Sequence, residues 1–300
     1  MPTSAVAVWL VPSLLALFMY GIAQGLVKKY SGDVPPARFC LFFIVARSLV
    51  FLGWFFTHDH PPPFAPESRD FLLMGTGAYV LDGLGWILYY KSIVLGPISI
   101  VGTLSAAYAA PTVLFARIFL GEALSTEQYL GVAFIIGGCA GLGYEPSGET
   151  DGKPGSRAWM PLAAGALILW GAAQTLLKKS YSFEGAGDVN MSLFASFGGA
   201  MTLGVYGLIY GLKRVPGEHG TGLQQLSRSF VPMAIMAGGD LGVIIATVHG
   251  KASIVTPLTG AYPLVTVPFA AFLLRERVTK AQMAFMASVL IGMVLCRPTE

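Results

Sequence analysis

Two stretches of sequence, 150 positions apart, decide how this chain folds. Residues 20–29 read YGIAQGLVKK and residues 170–179 read WGAAQTLLKK. Among the residues that they share at the same places are Gly21, Gln24, Lys28 and Lys29 in the first, which recur as Gly171, Gln174, Lys178 and Lys179 in the second. Each stretch closes an apolar run on two cations, which is typical of a membrane helix that ends at the lipid headgroups. The pair therefore predicts a duplicated unit that crosses a membrane.

A second register, shifted by 154 residues, extends the repeat. It aligns Ser99-Ile100-Val101 with Ser253-Ile254-Val255, Ala107-Tyr108 with Ala261-Tyr262, Thr112-Val113 with Thr266-Val267, and Glu122 with Glu276. It also aligns Ser125-x-x-Gln128 with Thr279-x-x-Gln282. Each of these last two is a capping box, in which a hydroxyl and an amide close the first turn of a helix. So many matches in one register indicate two copies of one structural unit.

Composition supports a lipid environment. The 300 residues are 54% hydrophobic and only 12% charged, whereas a soluble domain carries about 25% charged residues. So few charges could not cover the large core of a soluble protein of this length. The formal net charge of +3 is spread over short loops. It is too weak and too scattered to indicate a nucleic-acid partner, and we expect none.

Ten apolar runs are long enough to span a membrane, which takes about 20 residues each. They are 8–28, 38–57, 71–91, 97–120, 127–145, 158–178, 190–212, 230–248, 253–274 and 280–296. A polar linker, 146–157, separates a first repeat (8–145) from a second (158–297). Because five spans is an odd number, the second copy enters the membrane from the opposite side. The predicted fold is an all-α polytopic membrane protein, with ten transmembrane helices as two inverted five-helix repeats.

Two acidic residues lie inside predicted spans. Asp82 is near the middle of the third span and Asp240 near the middle of the eighth. Under the 154-residue shift Asp240 aligns with Trp86, one helical turn from Asp82, so the two acids lie on matching helix faces. A charge at the bilayer centre costs about 3 kcal/mol or more, so such residues face a cavity or a partner. They are interpreted either as carboxylates that bind a cationic substrate group or a coupling proton, or as groups that tie helices together.

Six further residues are candidates for binding substrate. Gln24 and Gln174 present an amide that suits a neutral or zwitterionic ligand, with an interhelical hydrogen bond as the alternative. Tyr108, Tyr262 and Trp86 offer rings, although membrane aromatics more often serve packing or the interface. Arg47 lies mid-span in the second helix and is expected to pair with an acid or to line a vestibule.

The sequence contains no nucleophile elbow, zinc-protease or nucleotide-binding motif, so we expect no enzymatic activity, no cofactor and no metal site. The inverted repeat favours a secondary transporter or exporter of a small polar metabolite, with alternating access around a midplane site and with coupling to protons as an option. The expected partners are this substrate and membrane lipids. A flippase for a lipid-linked substrate and a non-transporting scaffold are the alternatives.

Glycines give the fifth span a face of small residues, formed by Gly137, Gly138, Gly141 and Gly143. Small residues let membrane helices approach closely. This face is expected to contact either the tenth helix or a second protomer, which would form a homodimer through the fifth and tenth spans.

The sequence resembles the drug/metabolite transporter superfamily, in its ten-helix form with two EamA-type repeats. The resemblance rests on the aromatic-Gly to Lys patterns (Tyr20 to Lys28 and Trp170 to Lys178), Arg47, the run 251–263 (KASIVTPLTGAYP) and the endings at Glu122 and Glu276. It implies a bundle in which spans one to four and six to nine surround a central cavity, with five and ten outside.

The resemblance also implies activity and location. Members export amino acids and other metabolites, carry sugar phosphates or nucleotide sugars, or extrude drugs. The protein is expected in the cell or inner membrane as a multi-pass protein. Loop cations are more numerous opposite the termini, which would place the termini outside the cytoplasm, whereas the family keeps them inside. Orientation is therefore left open. Asp82 and Asp240 are not part of the family's general pattern, so they are interpreted as this protein's own specificity device.

Overall fold

The computed structural model describes residues 3–30, 34–95, 107–142, 158–213, 221–274 and 278–296, and this part of the chain is helical without a strand. The helices are α1 (Thr3–Tyr30), α2 (Pro36–Thr57), α3 (Arg69–Leu95), α4 (Ala109–Phe119), α5 (Thr126–Leu142), α6 (Trp159–Ser180), α7 (Asp188–Gly199), α8 (Gly222–His249), α9 (Ala252–Gly260), α10 (Pro263–Leu274) and α11 (Lys280–Leu295). Two π-helical segments, Ala200–Gly204 and Gly207–Gly211, continue α7.

These helices fall on the predicted spans. Within the described ranges, six segments are long and apolar enough to cross a membrane, and α4 and α11 are shorter apolar helices. The structure is therefore that of an all-helical, multi-pass membrane protein, as predicted. The fourth predicted span is covered only from residue 107 onward, because residues 96–106 lie outside the described ranges. The count of ten spans accordingly stays a prediction.

The ninth predicted span is divided into two helices. α9 ends at Gly260, and α10 begins with Pro263. Proline has no backbone N–H to continue the ladder of hydrogen bonds and is favoured at the first position of a helix. The break places Tyr262 in the turn between α9 and α10, close to the level of the central cavity described below.

The two halves pack reciprocally. α3 packs against α6, and α1 packs against α8. These two contacts are equivalent, because the repeat relates the third span to the eighth and the sixth span to the first. The contact of α2 with α8 corresponds in the same way to the contact of α7 with α3. The contact of α4 with α6 corresponds to the contacts of α9 and α10 with α1. Exchanging the repeats maps each of these contacts onto another, as a pseudo-two-fold relation between inverted repeats requires.

Local features of the sequence also appear as predicted. Ser125 and Gln128 form a capping box, with the Gln128 N–H donating to the Ser125 hydroxyl at 3.2 Å and the Ser125 N–H donating to the Gln128 amide oxygen at 3.1 Å. Thr279 and Gln282 form the second box with the corresponding distances of 3.2 and 2.8 Å. These boxes begin α5 and α11, the last helices of the two repeats.

The small-residue face of α5 packs against α11. A Cβ atom at Gly131 would lie 2.7 Å from the Gly292 carbonyl oxygen, and one at Gly292 would lie 2.6 Å from the Gly131 carbonyl oxygen. Gly138 and Gly141 also face α11, at Val289 and Phe285, whereas Gly137 faces open space. The predicted contact with the tenth helix is thus present, and Gly143 lies outside the described residues. A homodimer through the fifth and tenth spans stays a proposal.

Substituting Gly138 by alanine should weaken this packing, whereas the same change at Gly137 should not. The new methyl group at position 138 would lie 2.7 Å from Val289 Cγ2 and 2.9 Å from the Phe285 carbonyl oxygen. Overpacking of this kind destabilises by about 1–3 kcal/mol. Unfolding of the two variants in detergent, followed by circular dichroism against a denaturing detergent, would measure the difference. Equal stability of Gly137→Ala and Gly138→Ala would contradict the close α5–α11 approach.

Candidate functional site

A cavity lies between the two repeats. Its walls come from α1, α3, α6 and α8 and from the residues next to α4 and α10: Tyr20, Gln24, Asp82, Trp86, Tyr89, Tyr108, Trp170, Gln174, Met236, Asp240 and Tyr262. Asp82 is at the middle of α3 and Trp170 at the middle of α6. The cavity is therefore at mid-helix depth, where inverted-repeat transporters place their substrate.

One arginine forms ion pairs with both acids of the predicted spans. Arg47 of α2 is 1% exposed. Its Nη1 donates to Asp82 Oδ2 at 2.8 Å, and its Nε lies 3.1 Å from Asp240 Oδ2. The guanidinium also lies against the rings of Phe43, Phe51 and Tyr79, with the Tyr79 ring centroid 4.7 Å away. With both acids ionised the cluster carries a formal charge of −1. A buried ion must be paired to be tolerated, and here two carboxylates share one partner.

The hydrogen bonds of this cluster are incomplete. Asp240 Oδ1 accepts from the Tyr20 hydroxyl at 2.6 Å. Asp240 Oδ2 and Arg47 Nε, although close, are not aligned for a hydrogen bond, and each is buried without one. Trp170 Nε1, on the opposite wall, is a buried donor that likewise lacks an acceptor. Buried polar groups in folded proteins nearly always have a hydrogen-bond partner, so the atoms that lack one call for an explanation.

Aromatic rings form most of the remaining wall. On one side Trp170 lies 5.3 Å from Trp86, 5.3 Å from Tyr89 and 6.0 Å from Tyr108, measured between ring centroids. On the other side Tyr20 meets Tyr262 edge-on at 6.1 Å. Rings in mutual contact hold one another in place, so these walls are preformed surfaces for a ligand.

A π-helical segment sets the position of α3 beside the site. A Cβ at Gly83, which follows Asp82, would lie 2.9 Å from Thr202 Cβ in the segment Ala200–Gly204. Only glycine allows this approach, since any side chain would push α3 away from the π-helical turn. π-Helical turns occur often near functional sites.

One end of the bundle is tied together by charged groups. Glu122, after α4, accepts hydrogen bonds from the N–H groups of Ala252 and Ser253 at 3.0 and 2.9 Å and from the Ser253 hydroxyl at 2.5 Å. This links the first repeat to the start of α9. The Lys178 ammonium donates to the carbonyls of Thr247 and Val248 at the end of α8, at 2.9 and 3.2 Å. A cation there suits the negative end of the helix dipole.

Seven of the eight residues predicted as substrate-binding line the cavity: Asp82, Asp240, Gln24, Gln174, Tyr108, Tyr262 and Trp86. The eighth, Arg47, is not among the lining residues and lies behind the acids. Asp82 and Asp240 also act as groups that tie helices together, because their ion pairs with Arg47 connect α3 and α8 to α2. Their part in binding substrate stays a prediction.

Four lining residues were not predicted: Tyr20, Tyr89, Trp170 and Met236. Signals for them exist in the sequence. Tyr20 and Trp170 occupy equivalent positions of the first register, each directly before its repeated glycine. Tyr89 follows Trp86 by three residues and Met236 precedes Asp240 by four, so each shares a helix face with a predicted residue.

Comparison with known proteins gives both a family and a fold. The sequence profile of the EamA-like transporter family matches residues 7–144 and, a second time, residues 157–297. A solved crystal structure of another protein superimposes on this chain with a TM-score of 0.76 at 16% sequence identity, covering 98% of this chain and 96% of that chain. At this identity the likeness establishes the fold alone. No curated protein matches the sequence.

Proposed function

Because this chain belongs to the EamA-like transporter family, we propose that it carries a small polar metabolite across the membrane as a secondary transporter, by alternating access around the central cavity. The family membership makes the protein a membrane transporter of the drug/metabolite type. The substrate, the coupling and the mechanism are the proposed part.

The observation that carries the proposal is the composition of the cavity wall. Both repeats contribute to it, with Gln24 and Asp82 from the first and Gln174 and Asp240 from the second. In transporters built from inverted repeats, substrate binds between the repeats near the bilayer midplane, and rocking of one repeat against the other exposes the site to each side in turn. Buried acids destabilise a membrane helix unless a partner compensates them. Arg47 is one cation for two carboxylates, so a polar or cationic ligand would complete the site.

Alternating access assigns a role to the contacts of Glu122. They hold the first repeat to the start of α9, so they must break before the cavity can open at that end. Hydrogen bonds to a charged group contribute about 1.5–3 kcal/mol each, which makes this end a stable closed state. Binding of substrate would have to favour the opened state by a comparable amount.

The shared arginine gives a basis for coupling. One of the two carboxylates has no counter-ion of its own, so a proton or a cationic group of the substrate would neutralise the cluster. A transporter in which the two compete for this position would exchange substrate for protons. A transporter in which the proton has no part would be passive or driven by the substrate gradient alone.

The two alternatives from the sequence are less well supported. A scaffold would be packed shut at the midplane, whereas the described residues enclose a polar cavity. A flippase needs a lateral opening that reaches the site. An apolar groove lies between α3 and α7, but of the described residues none lines both this groove and the central cavity.

The proposal is tested by screening the purified full-length protein against a metabolite library by thermal shift in detergent, and then measuring flux of each hit into proteoliposomes. A ligand at 100 times its Kd stabilises the folded state by about 2.7 kcal/mol, which is readily detected. We expect at least one small polar metabolite to stabilise the protein and to cross the membrane only in vesicles that contain it. Hits that bind but never cross would overturn the transport proposal.

A further inference from the structure

We infer that the central cavity takes a protonated primary amine carried on a flat, largely apolar body. This inference rests on the proposed function and narrows its substrate to a chemical class. It follows from three features of the cavity: its charge, the two carboxylates in its wall, and the arrangement of its aromatic rings.

The charge of the site is the first feature. Asp82 and Asp240 line the cavity and Arg47 lies behind them, so the described residues present a net formal charge of −1 to a ligand. Lys178 is engaged with backbone carbonyls away from the cavity, and Lys91 lies over the ring of Tyr206. In a low-dielectric site such a charge attracts a cation and repels an anion. With both acids ionised, the site therefore disfavours phosphorylated sugars and nucleotide sugars.

The two carboxylates of the wall are the second feature. The side chain of Asp82 is 15% exposed and that of Asp240 is 12% exposed, although Asp240 Oδ2 itself is buried against Arg47 Nε. A primary ammonium has three N–H donors, so one group could donate to both carboxylates at once. A quaternary ammonium has no donor and could make neither hydrogen bond. The cavity thus favours a primary amine among cations.

The aromatic walls are the third feature. Trp86, Tyr89, Tyr108 and Trp170 form one group of rings, and Tyr20 with Tyr262 forms the other. Aromatic faces attract cations and stack on flat apolar groups. Trp170 is 7% exposed, and its ring forms part of this wall. The amides of Gln24 and Gln174, which also line the cavity, would bond to an oxygen on the body of the ligand.

The test uses a matched set of three probes. Tyramine and tyrosol share a phenol ring and a two-carbon arm, and they differ in that the arm ends in an ammonium in one and a hydroxyl in the other. 4-Hydroxyphenylacetate has the same ring with a carboxylate. Isothermal titration calorimetry on the full-length protein at neutral pH should show tyramine binding at least about tenfold more tightly than tyrosol, and no binding of 4-hydroxyphenylacetate. Equal affinity for tyramine and tyrosol, or binding of the carboxylate, would overturn the inference.

Single substitutions test which side chains cause the preference for tyramine over tyrosol. In Asp82→Asn the preference for tyramine over tyrosol should fall severalfold, whereas Asp70→Asn, an exposed change in the first turn of the same helix, should leave it intact. Trp170→Phe should weaken tyramine severalfold and Trp159→Phe, at the start of the same helix, should not. If Asp82→Asn does not fold, two measurements still test the inference: the ratio of tyramine to tyrosol affinity in the wild type, and the comparison of Trp170→Phe with Trp159→Phe.

The two proposals fail in different ways. A protein that moves a neutral or anionic metabolite into proteoliposomes but ignores tyramine is a transporter with another substrate, and only the inference falls. A protein that binds tyramine with the expected preference but moves no hit across the vesicle membrane retains the amine site and loses the transport proposal.

Discussion

Replacing Arg47 by methionine should destabilise the protein by about 3–5 kcal/mol, because it leaves two buried carboxylates without a counter-ion. Arg47 is 1% exposed and is the cation that both Asp82 and Asp240 contact. Methionine has a similar length and no charge, so the loss is electrostatic rather than a matter of volume. Unfolding in detergent and the yield of monodisperse protein would measure the effect.

Two further variants separate charge from packing. The triple variant Arg47→Met, Asp82→Asn, Asp240→Asn carries no charge in the cluster and should recover most of the lost stability, since replacing a whole buried ion cluster is often neutral. Arg69→Met, an exposed change at the start of α3, should change stability by less than about 0.5 kcal/mol. If Arg47→Met is as stable as the wild type, or if the triple variant is no better than the single one, the three residues do not form the ion cluster.

Single neutralisation of either acid should lower transport by about tenfold or more while the protein still folds. With Asp82→Asn or Asp240→Asn, one carboxylate still balances Arg47, so no buried charge is left alone. The ligand, however, loses a hydrogen bond to a charged group, which contributes about 1.5–3 kcal/mol, and each 1.4 kcal/mol is a factor of ten. Initial rates of uptake into proteoliposomes, with the substrate found by the screen, would check this.

The pair of acids also predicts a difference between single and double variants. Asp82→Asn with Asp240→Asn together leaves Arg47 buried and unpaired, so the double variant should lose stability as strongly as Arg47→Met. Asp70→Asn is the matched control for both transport and stability. Normal flux in both single variants would remove the acids from the mechanism and leave them as the groups that tie α3 and α8 to α2.

Much of the architecture could be predicted because it depends on local properties. The scarcity of charge and the length of the apolar runs predict membrane helices, and these do not require knowledge of what packs against what. The capping boxes at Ser125 and Thr279 mark helix starts through contacts only three residues apart. The glycine face of α5 could be predicted as a close contact, since small residues act through their size alone.

The candidate site could be predicted in part. Asp82, Asp240 and the repeated glutamines stand out because a polar group in an apolar run is conspicuous in the sequence. Tyr20, Tyr89, Trp170 and Met236 do not stand out, since aromatic and thioether side chains occur throughout membrane helices and most of them serve packing. Their presence at the cavity depends on which way each helix is turned.

The sequence by itself determined that this protein is a duplicated, helical membrane protein with two acids at mid-membrane depth. Only the tertiary structure decided that both acids meet one arginine. Arg47 and Asp240 are 193 residues apart in sequence and lie 3.1 Å apart in the fold, and Tyr20 reaches Asp240 across 220 residues. Periodicity fixes which residues share a face of one helix, but the rotation and approach of neighbouring helices follow from side-chain packing along their whole length. The charge of the cavity, and therefore the kind of ligand it favours, is a property of that packing.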